Sequence, residues 1–214
     1  ARRSTIIQVA TTKEEKEIEF VEPEKCVVMM TEGGLIKRIP ATSFRTQKRN
    51  GKGVKTQDDI THAVIRTNTI DSLMIFSNKG KMYRLLVDNV PVGTNVSGGQ
   101  SIKSLIAMDT DEEPAVMYSI YRDTDAQFVL FVTKNGLVKK TTLDEYIKTK
   151  KKTGIAAITL KDDDELIAAK KTDGTNQIII AASNGRMIRF DESEIRVMGR
   201  TASGVRGINV GTGE

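Results

Sequence analysis

Apolar runs punctuated by glycine turns recur along this chain, and the polar positions recur with them. Four stretches align on a turn glycine: VVMMTEGGLIKRI, SLMIFSNKGKMYRL, FVLFVTKNGLVKKT and QIIIAASNGRMIRF, turning at Gly34, Gly80, Gly136 and Gly185. Each starts with β-branched and long apolar residues, crosses a short polar turn and continues as a strand that carries cations. Asn135-Gly136 and Asn184-Gly185 tolerate the positive φ that a tight hairpin with right-twisted strands demands. Lys79-Gly80 and Gly33-Gly34 fill the same slot. The run ahead of the turn is continuous, as in VLFV and IIIAA, which predicts burial on both faces. The run after it alternates, as in RMIRF, where Met187 separates from Ile188 and one side faces out with Arg186 or Arg189.

The turn glycines are 46, 56 and 49 residues apart, and a second glycine follows each at 19, 19, 18 and 19 residues: Gly53, Gly99, Gly154 and Gly204. Beyond it, GVKTQ, GQSIKSL, GIAAITL and GVRGINV each read as another strand. HAVIRT, AVMYSIY and ELIAAKK read as further strands between units. About four strands per unit, repeating at this period, predict an all-β fold of propeller-like blades. The repeats lie near 22–70, 71–121, 122–171 and 172–214, as one domain over 22–214, with 1–21 a linker or a leading strand. LDEYIKT is expected to form one or two helical turns, and KEEKEIEF a charged helical start or linker.

Composition narrows the function classes. With 38% hydrophobic and 29% charged residues among 214, the chain can bury a core and is globular rather than disordered. No apolar stretch reaches the roughly 20 residues of a membrane helix, so no membrane partner is expected. The opening ARRSTIIQ shows no signal peptide and reads as a chain cut from something longer. Cys26, the single cysteine, sits in CVVMM and is expected to be a small core residue; it cannot make an intrachain disulfide, in keeping with a reducing compartment.

Catalytic constellations are thin. His62 is the only histidine and reads as an ordinary strand residue. GTNVSGGQS has Gly99-Gln100 where a phosphate-binding loop needs Gly-Lys, so no lysine would reach a terminal phosphate. The carboxylates of KDDDEL could bind Mg²⁺; the favoured reading is an acidic inter-strand turn. The sequon at Asn95 is a chance match. No metal site and no cofactor are expected.

The cations are more informative, because they recur in phase with the repeat. The 33 Lys and Arg against 28 Asp and Glu give only +5, so clustering matters more than the sum. After each turn glycine come Lys37-Arg38, Lys81 with Arg84, Lys139-Lys140, and Arg186 with Arg189. Ahead of the second glycine come Arg45, Lys48, Arg49 and Lys52 in unit one, Lys148 and Lys150 to Lys152 in unit three, and Arg196 and Arg200 in unit four. Unit two has the neutral VPVGTNVSGGQ there. If the units stand around an axis, these positions form a basic band along one rim, better suited to a wrapped duplex than to a point ligand. The alternative is that they solubilise exposed strands and protect edges. Unit one has the densest group, QKRNGKG at 47–53, with no Asp or Glu between Gly33 and Gln57. Gly51 and Gly53 let backbone N–H groups approach phosphate oxygens, Lys48, Arg49 and Lys52 supply charge, and Gln47 can hydrogen-bond. None of these groups reads a base by itself, so recognition of backbone and shape is expected.

QKRNGKG resembles the hallmark heptapeptide, the GyrA box, of the C-terminal domain of the DNA gyrase A subunit, with Asn50 where the usual pattern has glycine. Asn also tolerates positive φ. GLIKRIPATSFRTQKRNGKGVKT, TKNGLVKKTTLDEY and RMIRFDESEIRVMGRTASGVRGINV are similar to the first, third and fourth blades of that domain, and the resemblance runs from about Glu22 to Glu214. It implies a β-pinwheel whose blades exchange strands, wrapping duplex DNA around a basic rim with a positive, right-handed crossing for ATP-dependent negative supercoiling. By that resemblance the DNA-contacting set is Gln47, Lys48, Arg49, Asn50, Gly51, Lys52 and Gly53 with Lys37, Arg38, Arg45, Lys81, Arg84, Lys139, Lys140, Lys150, Lys151, Arg186, Arg189 and Arg200. It implies no catalytic residue here, and ATP and Mg²⁺ used elsewhere in a holoenzyme. The implied partners are double-stranded DNA, the rest of the gyrase A subunit, plus the gyrase B subunit, in a bacterial cytoplasm at the nucleoid. Such a disc has about six blades, so the four repeats are read as a fragment or a shortened domain, the end at GTGE favouring a fragment. The alternatives are a protein-binding β-propeller and the corresponding domain of topoisomerase IV.

Overall fold

The computed structural model describes residues 22–44, 60–120, 126–148, 153–161 and 163–211. Unit one contributes β1 (Lys25–Thr31), β2 (Leu35–Pro40) and β3 (Thr61–Asn68). Unit two contributes β4 (Ser72–Ser77), β5 (Lys81–Leu86), β6 (Gln100–Ser101), the single turn α1 (Ile102–Leu105) and β7 (Pro114–Ile120). Unit three follows with β8 (Phe128–Thr133), β9 (Leu137–Thr142), the single turn α2 (Asp144–Ile147), β10 (Ile155–Ala156) and β11 (Leu166–Thr172). Unit four holds β12 (Gln177–Ala181), β13 (Met187–Asp191) and β14 (Val205–Arg206). The four hairpin glycines all take φ between +74° and +81°, as their dipeptides require.

The sheets interlock. Their strand orders are β3-β1-β2-β6, β10-β5-β4-β7 and β11-β8-β9-β14, all antiparallel. Each hairpin therefore pairs on one side with the last strand of its own unit and on the other with a two-residue strand lent by the next unit. That lending makes the fold a β-pinwheel rather than a plain propeller.

In units two and four the second glycine serves this crossing. Gly99 and Gly204 have φ of +83° and +92°, and a Cβ there would lie 2.7 Å from the Ile36 carbonyl oxygen or 2.5 Å from that of Val138. Ile36 and Val138 both stand two residues past a hairpin glycine. Three residues beyond the second glycine, the chain bonds back to that hairpin glycine: Ile102 N–H donates to Gly34 O at 2.9 Å, Ala157 N–H to Gly80 O at 2.8 Å and Gly207 N–H to Gly136 O at 2.9 Å.

Successive Cβ atoms on a strand point to opposite faces, and here both faces are covered. Leu73 and Ile75 of β4 pack with β1 and β2, while Met74 and Phe76 pack with Val129 and Phe131 of β8. Phe76, Phe131 and Tyr146 meet edge to face at centroid distances of 5.2 to 5.8 Å. Leu130 and Val132 face the other way, onto Ile178 and Ile180 of β12. Cys26 is buried in the first of these cores.

Two expectations need correction. The sheets are three of four strands and one of two, because the β12–β13 hairpin has neither a third strand nor a lent strand among the described residues. For the same reason IIIAA is not buried on both faces: Ile179 is 62% exposed, and β13 is exposed along most of its length instead of alternating.

Candidate nucleic-acid interface

The rim cations expected from the sequence divide by burial. Lys37, Lys139 and Lys140 were expected on an exposed basic rim, yet their relative exposures are 4%, 0% and 5%. Each is covered by the following unit, Lys37 by the 95–97 loop, so its ammonium has to find carbonyl oxygens. Lys37 Nζ donates to Ser97 O at 2.6 Å and Asn95 O at 3.1 Å. Lys139 Nζ donates to Ala157 O at 2.6 Å and to the Arg200 carbonyl, with its head 5.7 Å from the Phe131 ring centroid. Lys140 Nζ donates to Glu192 O at 2.7 Å and lies 5.2 Å from the Phe128 centroid. Burial pulls the Lys37 pKa down, and that of Lys139 down to about 8, with Arg200 adding a smaller push. These three ammonium groups are engaged by the protein's own backbone, and the exposed-rim assignment is corrected for them.

Two others are held by acids. Arg38 pairs with Asp88 at 3.1 Å, its side chain only 12% exposed. Lys81 meets Asp109 at 2.6 Å and the buried Glu112 at 2.5 Å, and these two hydrogen bonds hold its pKa well above the ordinary lysine value. Glu112 also accepts from the Tyr83 hydroxyl at 2.6 Å. Arg84 Nη1 donates to Ile147 O at 3.2 Å. Unit four presents the exposed pair: Arg186, Nη1 on Asn209 O at 3.1 Å, and Arg189, Nε on Gln177 Oε1 at 3.1 Å. Arg200 is one-third exposed and 3.6 Å from Glu145. Gln47, Lys48, Arg49, Asn50, Gly51, Lys52 and Gly53, with Arg45, Lys150 and Lys151, lie outside the described residues.

The loops ahead of the second glycine share one seat. In unit two, Arg38 N–H donates to Pro91 O and Gly93 N–H to Arg38 O; in unit four, Met198 N–H donates to Lys140 O. The matching parallel bridges are Arg38–Val92 and Lys140–Val197, both seven residues before the second glycine. Arg196 is exposed on the unit-four loop. By sequence register, 47–53 is the same segment of unit one as 93–99 and 198–204.

Sequence reasoning missed two features. The adjacent pairs Lys37-Arg38 and Lys139-Lys140 signalled one inward cation each, because neighbours on a strand cannot share a face; both Lys139 and Lys140 are buried because β9 is covered on both faces. Lys79, Lys134 and Lys161 gather with Asp163, Asp164 and Glu165 around a cleft of about 530 Å³ at the turns of units two and three. That fell outside the phase of the rim pattern. The KDDDEL carboxylates serve their turn, Asp164 Oδ1 accepting from the Asn135 and Glu165 N–H groups at 2.9 Å each. His62 Nε2 contacts Ala115 O at 2.9 Å, on an exposed strand. A cleft of about 680 Å³ beside α2 is lined by Asp144, Glu145 and Lys148 together with Phe128, Leu143 and Ile147. No helix among the described residues is long and apolar enough to cross a membrane.

The family model for "DNA gyrase C-terminal domain, beta-propeller" matches residues 27–61, 71–113, 127–173 and 176–214, one segment per unit. The chain belongs to this family. It is 35% identical over 193 residues to the DNA gyrase A subunit of Clostridium acetobutylicum, covering 88% of this chain and 23% of that one. With the DNA gyrase A subunit of Leptospira biflexa it is 39% identical over 189 residues, 86% of this chain and 22% of the relative. It thus spans under a quarter of the length of these two relatives. Among solved structures, the C-terminal domain of a DNA topoisomerase IV superimposes with a TM-score of 0.77 at 34% identity, over 90% of this chain and 59% of that one. A gyrase A C-terminal domain gives 0.65 at 25% identity, over 87% and 61%. The gyrase C-terminal fold is thus present here as interlocked blades with strand exchange.

Proposed function

We propose that this chain binds and wraps duplex DNA as the C-terminal domain of a gyrase A subunit, without catalysis of its own. In the parent enzyme it presents a wrapped DNA segment, with a positive crossing, for ATP-dependent negative supercoiling. The observation that supports this reading is the shared seat of the loops in units two and four; by sequence register 47–53 and 148–154 are the same segment of units one and three, and cations recur in or beside that segment in units one, three and four. The cations in the contact set are Lys48, Arg49 and Lys52 with Arg45, Lys150, Lys151, Arg186, Arg189 and Arg200. ATP and Mg²⁺ act elsewhere in the holoenzyme. Its other parts, the rest of the gyrase A subunit, plus the gyrase B subunit, are the protein partners in a bacterial cytoplasm.

Binding should tolerate any sequence and weaken with salt, by a log–log slope of about −0.9 per phosphate contact. The decisive assay binds the chain to relaxed circular DNA, reseals it with a nicking–closing enzyme and reads the trapped writhe. Positive writhe is expected; no duplex affinity, or affinity indifferent to salt, would leave a protein-binding propeller. Replacing Lys48, Arg49 and Lys52 by Ala in the full-length parent should abolish supercoiling and leave ATP-dependent relaxation. The topoisomerase IV superposition favours a second reading, in which the holoenzyme decatenates well and fails to supercoil.

A further inference from the structure

Two lysines occupy one place in the repeat and reach one place in the next unit. Lys37 and Lys139 each stand three residues after a hairpin glycine. Lys37 donates to the carbonyl of Asn95 and Lys139 to that of Arg200, and each of those residues stands four before the second glycine. Neither ammonium has a carboxylate partner among the described contacts; both are buried and held by carbonyl dipoles. Unit two has Tyr83 at this position, its hydroxyl turned to Glu112.

The two loops so held differ in charge. Residues 91–98, under Lys37, contain no charged residue, whereas 196–203, over Lys139, carry Arg196 and Arg200. The unit-four loop is also tied by Met198 N–H to Lys140 O at 2.8 Å, Ala202 N–H to Gly199 O at 3.2 Å, Thr159 N–H to Ala202 O at 3.3 Å and the Thr159 hydroxyl to Thr201 O at 2.7 Å. Without the Lys139 head, the Arg200 carbonyl loses its donor and the loop loses a point of attachment beside both arginines.

We propose that Lys139 is a positioning residue for duplex binding, holding the loop that presents Arg196 and Arg200 to phosphates, while Lys37 makes the equivalent tie to an uncharged loop and serves the fold alone. This rests on the duplex-binding reading above. At neutral pH the Lys139 head is still protonated, its pKa being about 8. A rigid anchor sets where the two guanidinium groups sit before the duplex arrives, so less ordering is left to be done on binding.

The test compares Lys139→Met with Lys37→Met in the 214-residue chain, titrated with linear mixed-sequence duplex over a range of salt. Both variants lose a buried tie and should lose comparable amide protection. Lys139→Met should weaken binding about ten-fold and flatten the salt slope by up to about 2, the share of two phosphate contacts; Lys37→Met should keep the wild-type slope. Arg196→Ala with Arg200→Ala should flatten it equally, and adding Lys139→Met should flatten it no further. Lys139→Gln, whose amide still donates, should recover most of the slope. Equal slopes for the two methionine variants overturn the proposal. If Lys139→Met does not fold, hydrogen exchange of the wild-type chain decides: duplex should protect the Met198 and Ala202 amides and not Ser97, and an unprotected unit-four loop overturns the proposal. A wild-type chain that binds no duplex strikes the function itself instead.

Discussion

Single residues decide whether one blade can seat on the next. Gly204 combines a φ of +92° with a carbonyl oxygen 2.5 Å from where a Cβ would stand, whereas Gly185, at +81°, has open space around that position. Alanine at Gly185 costs only the backbone strain, about 1 kcal/mol, while at Gly204 the crowding adds roughly 1–3 kcal/mol more. Urea denaturation of Gly185→Ala and Gly204→Ala should rank them in that order, and equal losses would mean that the crossing tolerates side chains. Lys139 has a signature of its own. Its folded pKa is about 8 against an ordinary 10.5, so between those values the unfolded chain holds the extra proton, and stability from this group rises with pH across that window. The rise is complete above about 10.5 and absent below about 8. Lys139→Met should remove it, as followed by thermal melts from about pH 7.5 to about pH 10; an unchanged pH profile would show that the ammonium is not held where the structure places it.

Elements differ in how fully their neighbours use them. All six residues of β4 are buried, with alternate side chains feeding two different cores, while Ile179 in the equivalent β12 is exposed. Leu73→Ala should therefore cost about 2–5 kcal/mol and Ile179→Ala no more than about 0.5 kcal/mol, read as the difference in denaturation midpoints; equal costs would require a cover over β12. The hairpins, their glycines and the period were legible because Asn-Gly turns and apolar runs are local chemistry. Strand exchange was not legible from the residues, since β6, β10 and β14 are two-residue strands whose partners lie in the preceding unit; it came only from the resemblance. The basic phase of the repeat was visible, but a cation on a strand looks the same whether it faces water or a neighbour's carbonyl. Hence Arg186 and Arg189 are exposed as expected and Lys37, Lys139 and Lys140 are not.

At the scale of the molecule, the lent strands make the units depend on one another. A repeat array gains stability from each unit and from each interface, with contacts mainly between neighbours. Here every interface has the same parts: a two-residue ladder, an amide bonded to the hairpin glycine, and a shared apolar core. The interface between units two and three runs through Ile155, paired with Met82, and through the Ala157 amide on Gly80 O. Ile155→Pro removes one ladder donor and part of the core on which Tyr146 packs, yet leaves the β4–β5 and β8–β9 hairpins intact. If the lent strand is what makes the array cooperative, this single change should split one unfolding transition into two and lower the denaturant slope of the first, because less surface is exposed in each step. Far-UV and tyrosine signals would then cease to coincide in a urea titration. A single transition with an unchanged slope would instead place the coupling in the side-chain cores between sheets, with the exchanged strands serving mainly to carry their loops to the rim.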